Sequence, residues 1–189
     1  MTIISWLQGG DLRSDGEADQ VAQVVLDDMD VVDDVLSGLD HPEDVVRGRC
    51  ADVLEKVARQ YPGALLPHQK VIFKSLSEDP VPMVRFHLAM LLGHLVGSDT
   101  DHELLLRALL DCLEDESVFT VSWAIVSLCI LARHDSSYMR MVGDALRSLS
   151  NHESTAVRAK VRHALPLLAD TGRKFPDGWI KSHHLQQLG

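Results

Sequence analysis

The side chains with the clearest chemical potential in this sequence are its ten histidines and twenty-eight carboxylates. His87 and His94 stand in "DPVPMVRFHLAMLLGHL", residues 79–95. On a helix, seven residues span about two turns, or ~10 Å, too far apart for one shared metal ion. Both lie outside the apolar stripe of that stretch, so they are expected to face solvent or a partner. His102-Glu103 and His152-Glu153 lie at turns or helix starts, where capping and a favourable helix dipole account for them. The run Asp27/Asp28/Asp30/Asp33/Asp34 lacks the spacing and central Gly of a calcium loop and lies on what reads as one continuous helix. It reads as a solvated face, with Asp27, Asp30 and Asp34 offering a docking surface to a basic partner. "LQGGDL" precedes no Lys-Ser/Thr pair, and no nucleophile-elbow sequence occurs. No catalytic residue, metal ligand or cofactor is assigned.

Charge narrows the partner class. Residues 1–46 hold 12 Asp/Glu against Arg13 alone, while residues 47–189 hold 16 Asp/Glu against 17 Lys/Arg. An acidic end gains nothing from phosphate contacts, which argues against nucleic acid. The apolar runs are too short to span a bilayer, and no basic region precedes the short N-terminal apolar stretch. Cys50, Cys112 and Cys129, odd in number and set in helical patterns, read as buried free thiols of a reducing cytoplasm.

The elements that must position these groups emerge from a repeat. Val46, Val84, Val121 and Val157 follow one another at 38, 37 and 36 residues. Counting on from each Val, positions +4, +7, +8 and +11 are apolar every time: Cys50/Val53/Leu54/Val57, Leu88/Leu91/Leu92/Leu95, Ile125/Leu128/Cys129/Ala132 and Val161/Ala164/Leu165/Leu168. That is the buried stripe of an amphipathic helix. A second series of helical segments lies at 19–39, 64–76, 102–113 and 137–150, with Pro, Gly, Ser and Asp in the linkers. No segment alternates as a strand does. The pattern predicts a single all-α domain over 1–189 with repeats at about 19–60, 64–97, 102–133 and 137–170. Stacked pairs share one core, and residues 1–18 and 175–189 serve as caps. The first cap carries Trp6 and Leu7 after Ile3-Ile4. The second reads as a short helix anchored by Trp179 and Leu185.

Over residues 19–170 the chain resembles the HEAT-repeat family. The residues that carry the likeness are a turn acid or amide followed by Val-Arg: Asp40 with Arg47, Asp79 with Arg85, and Asn151 with Arg158. The resemblance implies a right-handed α-α superhelix in which these groups form a hydrogen-bonded ladder between repeats. The third repeat keeps Asp115 but has Ser122 in the Arg position. It also implies that the second helix of each pair lines a concave surface. Phe86, Met90, Trp123 and Ile130 are expected to cluster there, with His87, Arg133 and His163 beside them. An apolar patch rimmed by charge is what a protein-binding groove looks like. Cover by the C-terminal segment, or by a second copy of the chain, is the open alternative. The expected function is a non-catalytic scaffold that binds another protein, with a homo-oligomer left open. Two alternatives are drawn from HEAT-like relatives. One is a nucleic-acid module like the alkylpurine DNA glycosylases, for which Lys160, Arg162, His163, Arg173 and Lys174 give a modest basic end. The other is a metal-dependent or bilin lyase-type enzyme, although the His-Glu pairs of the di-iron deoxyhypusine hydroxylases sit inside helices and number four.

Overall fold

The computed structural model describes residues 2–188. Its helices are α1 (Ala18–Asp27), α2 (Val32–Ser37), α3 (Asp44–Gln60), α4 (Gln69–Glu78), α5 (Pro82–Leu95), α6 (His102–Asp111), α7 (Val118–His134), α8 (Met139–Ser148) and α9 (Thr155–Ala169). Among the described residues there is no strand, and no helix is long and apolar enough to cross a membrane. The helices form an inner row, in which α3 packs on α5, α5 on α7 and α7 on α9. The outer helices α1, α4, α6 and α8 each pack on their own inner helix. The chain is a helical-repeat solenoid of four pairs with one continuous apolar core.

Of the sixteen stripe positions, fourteen are buried; Leu165 and Leu168 are half-buried. Both lie on α9, which among the described residues packs on α7 and α8, on one side only. Local chemistry sets the starts and stops. Pro82 opens α5 in the first turn, where the backbone N–H has no intrahelical partner. Asp101 caps α6 by accepting from the N–H groups of Glu103 (2.9 Å) and Leu104 (3.1 Å). Gly97, at φ +81°, turns the chain out of α5 in the left-handed region that glycine occupies freely.

Two expected helices differ. The segment 19–39 breaks after Asp27, where Asp28 is extended and its carboxylate accepts from the Asp30 N–H at 3.2 Å. The acidic run therefore spans a helix break, because aspartate competes for backbone donors. The C-terminal cap is an extended strap across the molecule, with only a 3-10 turn at His183–Leu188. Pro176 and Gly178 keep it from becoming a helix. Its anchors Trp179 and Leu185 are buried as expected. At the other end Leu7 is buried and Trp6 is exposed. The N-terminal loop is held by the buried Arg49, whose guanidinium donates to the carbonyls of Leu7 (2.9 Å), Gly9 (2.8 Å) and Ser14 (3.2 Å).

The ladder exists with a different register. Arg47 Nε donates to Asp79 Oδ2 of the next repeat at 2.7 Å, and an Arg85 guanidinium nitrogen lies 2.7 Å from Asp115 Oδ2. Asp79 and Asp115 also accept from the N–H two residues on, at Val81 (2.8 Å) and Ser117 (2.6 Å). In the first and fourth repeats that turn acceptor is a histidine Nδ1: His41 takes the Glu43 N–H and His152 the Ser154 N–H. Asp40 and Asn151 thus sit one place too early and are exposed, correcting their assignment to the ladder. Arg158 donates to the carbonyls of His152 and Glu153, as Arg47 does to those of His41 and Pro42.

Candidate functional site

The strap runs across the inner helices, meeting α9 at Lys160, α7 at Trp123 and Arg133, α5 at Met90, His94 and the C-cap Val96, and α3 through the strap's last turn. Arg133 donates to the carbonyls of Thr171 (2.5 Å) and Arg173 (2.9 Å) and stacks over Phe175. Lys160 lies over the Trp179 ring, and Lys181 lies 4.7 Å from the centroid of Trp123. Lys181 also reaches Met90 Sδ at 3.5 Å, and His184 Nε2 bonds the Val96 carbonyl at 2.9 Å. Between strap and repeats, Met90 and Ile130 are buried and Trp123 is half-buried. The strap thus lies on Trp123 and Met90, whereas Phe86 pairs with Phe119 instead. His163 stays exposed on α9, and Asp27, Asp30 and Asp34 are exposed at the acidic end. Of the basic end, Lys160 points at Trp123 and Trp179.

His87 and His94, expected in solvent, are buried at 8% and 2% exposure. The reason is the first repeat, which places two carboxylates opposite them. His94 Nε2 lies 2.7 Å from Glu55 Oε1, and its Nδ1 lies 2.5 Å from Ser182 Oγ on the strap. Burial would raise Glu55, but hydrogen bonds from His94 and Arg59 outweigh it and hold the carboxyl at about 2. An ionised Glu55 only accepts, so His94 carries its proton on Nε2 and accepts at Nδ1 from the Ser182 hydroxyl. Burial also dominates for His94 itself and lowers its pKa, keeping the ring neutral. Asp52 is likewise pulled down, with His87 and Lys56 outweighing the cost of burial. His87 Nδ1 lies 3.2 Å from Asp52 Oδ1 but off the line of a hydrogen bond.

Ser182, His94 and Glu55 have the connectivity of a nucleophile, base and acid. Ser182, however, has 0% exposure, so no acyl group can approach Oγ while the strap is seated. In this state the three residues tie the strap to α5 and α3. The donor atoms of Asp52, Glu55 and His87 lie within 4.8 Å of one another, a spacing a metal ion could bridge. Both carboxylates are already neutralised: Lys56 Nζ is 2.8 Å from Asp52, and Arg59 forks onto Glu55 at 2.5–3.1 Å. A divalent ion would have to displace two cations, so the trio acts as a set of ion pairs. The i,i+4 pairs Asp52/Lys56 and Glu55/Arg59 are the sequence signal for this network.

One aromatic group stays open. Phe119, in the first turn of α7, is 67% exposed, and its ring centroid lies 5.8 Å from that of half-buried Phe86. Phe119 borders a depression of about 810 Å³ lined also by Asp111, Glu114, Asp115 and Glu116. Arg85 pairs with Asp115, whereas Asp111, Glu114 and Glu116 form no salt bridge among the described residues. The result is an exposed Phe119, backed by half-buried Phe86, beside the unpaired carboxylates of Asp111, Glu114 and Glu116.

No protein-family model matches the sequence, and no curated protein matches it. Similar solved structures include two engineered proteins from the Northeast Structural Genomics Consortium. One aligns at TM-score 0.62 and 16% identity over 88% of this chain and 78% of that one. The other aligns at 0.61 and 18% identity, over 88% and 79%. A designed armadillo repeat protein aligns at only 0.44, with 14% identity over 88% and 98%. At these identities the likeness concerns the fold alone.

Proposed function

We propose that this helical-repeat chain is a non-catalytic interaction module of the HEAT type. It captures a partner protein carrying a basic segment, and the contact centres on Phe119 and Phe86. The observation that carries this reading is the two-thirds-exposed Phe119 beside the unpaired carboxylates of Asp111, Glu114 and Glu116. An exposed aromatic offers desolvation energy and a π face for a guanidinium or ammonium group. The carboxylate rim supplies charge complementarity, and the acidic end with Asp27, Asp30 and Asp34 extends the steering field. The HEAT assignment is supported by the Arg47–Asp79 and Arg85–Asp115 pairs. Three buried free thiols fit a reducing cytoplasm. The concave residues Trp123, Met90 and Ile130 are not the primary anchors, since the strap covers them.

A comparative pull-down tests the proposal. Wild-type protein, Phe119→Ala, and a variant with Asp111→Asn, Glu114→Gln and Glu116→Gln are used as baits side by side. The partner should be retained by wild type and lost from both variants, with the wild-type complex weakened by salt. A protein retained equally by all three baits binds elsewhere and counts against this site.

A further inference from the structure

The strap approaches the concave face as an extended peptide ligand would. It crosses the inner helices from α9 towards α3, and side-chain anchors hold it. Trp179 and Leu185 are buried, Lys181 stacks on Trp123, and Ser182 donates to His94. The stripe packing beneath is made between the repeats themselves, and Phe175, Trp179 and Leu185 of the strap add to it from outside. The inner helices pack on one another through the stripe residues, and outer helices back each of them. The groove floor also stays compensated without it, because Lys56 remains on Asp52 and Arg59 on Glu55. Of the polar groups the strap satisfies there, His94 Nδ1 would open to water. Gly178, at φ +78°, lies between the buried anchors Phe175 and Trp179 and gives the segment a pivot there.

We propose that the groove over α3, α5, α7 and α9 is a second, peptide-binding site that the chain fills in cis. It takes an extended peptide in trans with the chemistry of the strap: an aromatic residue, a lysine two places on, a small hydroxyl residue next, and a leucine three places further. Trp179, Lys181, Ser182 and Leu185 define that spacing. The lysine is read by the Trp123 face and the hydroxyl by His94 Nδ1. This site is independent of the Phe119 end. Because the strap is tethered, its effective concentration is of millimolar order, so a free peptide competes poorly until the strap is weakened.

The test uses the 189-residue chain and a fluorescein-labelled peptide of residues 174–188. In urea, the fluorescence of Trp123 and Trp179 should change before the far-UV helical signal does, because the strap leaves a folded solenoid. In anisotropy titrations, the Trp179→Ala/Leu185→Ala protein should bind the peptide at least tenfold more tightly than wild type does. A peptide carrying the same two changes should not bind. Coincident urea transitions, loss of helical signal in the double variant, or a folded variant that leaves the peptide free would each overturn the proposal. Phe119→Ala should leave peptide binding unchanged, which keeps this test separate from that of the open aromatic end.

Discussion

His94→Ala removes a ring that links three elements, and its cost follows from the two hydrogen bonds that the ring makes. The bond from Nε2 to ionised Glu55 is charge-assisted, and such bonds contribute about 1.5–3 kcal/mol. The Ser182 hydroxyl, fully buried, is left without its partner at a cost of about 1–3 kcal/mol. Glu55 keeps Arg59, which limits the damage. The two ranges sum to roughly 2.5–6 kcal/mol, of which the Glu55 part, about 1.5–3 kcal/mol, falls on the solenoid itself and the rest on the docking of the strap. With a urea slope of about 2 kcal/mol per molar, the midpoint of helical unfolding should fall by about 0.7–1.5 M from the Glu55 part, and the release of the strap should move to lower urea as well. His94→Gln, which keeps a donor for Glu55, should recover part of the loss. His163→Ala, at an exposed site, should stay within about 0.5 kcal/mol of wild type. Urea unfolding followed by circular dichroism decides the matter. A cost below about 1 kcal/mol for His94→Ala would refute the role assigned to this ring.

Acid should destabilise the fold in two steps. His94 has a folded pKa below its ordinary 6.5, so the unfolded chain takes its proton first; stability is full above 6.5 and falls as pH drops below it. Glu55, lowered from 4.5 to about 2, contributes stability above 4.5 that is lost as pH falls towards 2. Melting temperatures measured from pH 7.5 to 3 should therefore decline steadily, and a rise on acidification contradicts this assignment. Asp79→Ala should cost about 1–3 kcal/mol in chemical denaturation, because it frees the Val81 N–H and the Arg47 guanidinium, whereas exposed Asn151→Ala should cost almost nothing. Gly93→Ala should cost about 1–3 kcal/mol, since its Cβ would lie 2.5 Å from Ser127 Oγ and 3.3 Å from the Ser127 Cα; a neutral result would show that α5 and α7 separate easily.

The solenoid is legible in the sequence because the stripe after Val46, Val84, Val121 and Val157 is a local periodicity, and each inner helix buries it in the same way. What periodicity cannot show is the opposite face. His87 and His94 fall outside the stripe, so a one-helix pattern sends them to water. Their burial depends on Asp52 and Glu55 of a different repeat and on Ser182 about ninety residues away. The strap resembles a helix in sequence because its buried residues are spaced for one, while Pro176 and Gly178 break it. The ladder is displaced by one register from its sequence pattern because histidine Nδ1 replaces aspartate at the first and fourth turns. Phe119, the most exposed aromatic of the open end, escapes the pattern because it falls before the Val that anchors the repeat count. Its exposure depends on how α7 meets the turn beside it.

The most direct test of the account is a surface plasmon resonance salt series with the captured partner, comparing wild type, Phe119→Ala and the Asp111→Asn/Glu114→Gln/Glu116→Gln variant. If the exposed aromatic supplies affinity and the rim supplies steering, Phe119→Ala should weaken binding by about 2 kcal/mol or more, roughly thirtyfold, mainly through faster dissociation. Neutralising the rim should mainly slow association and flatten its dependence on salt. Unchanged dissociation in Phe119→Ala would contradict the account, because the partner would then be held on some other face of the solenoid.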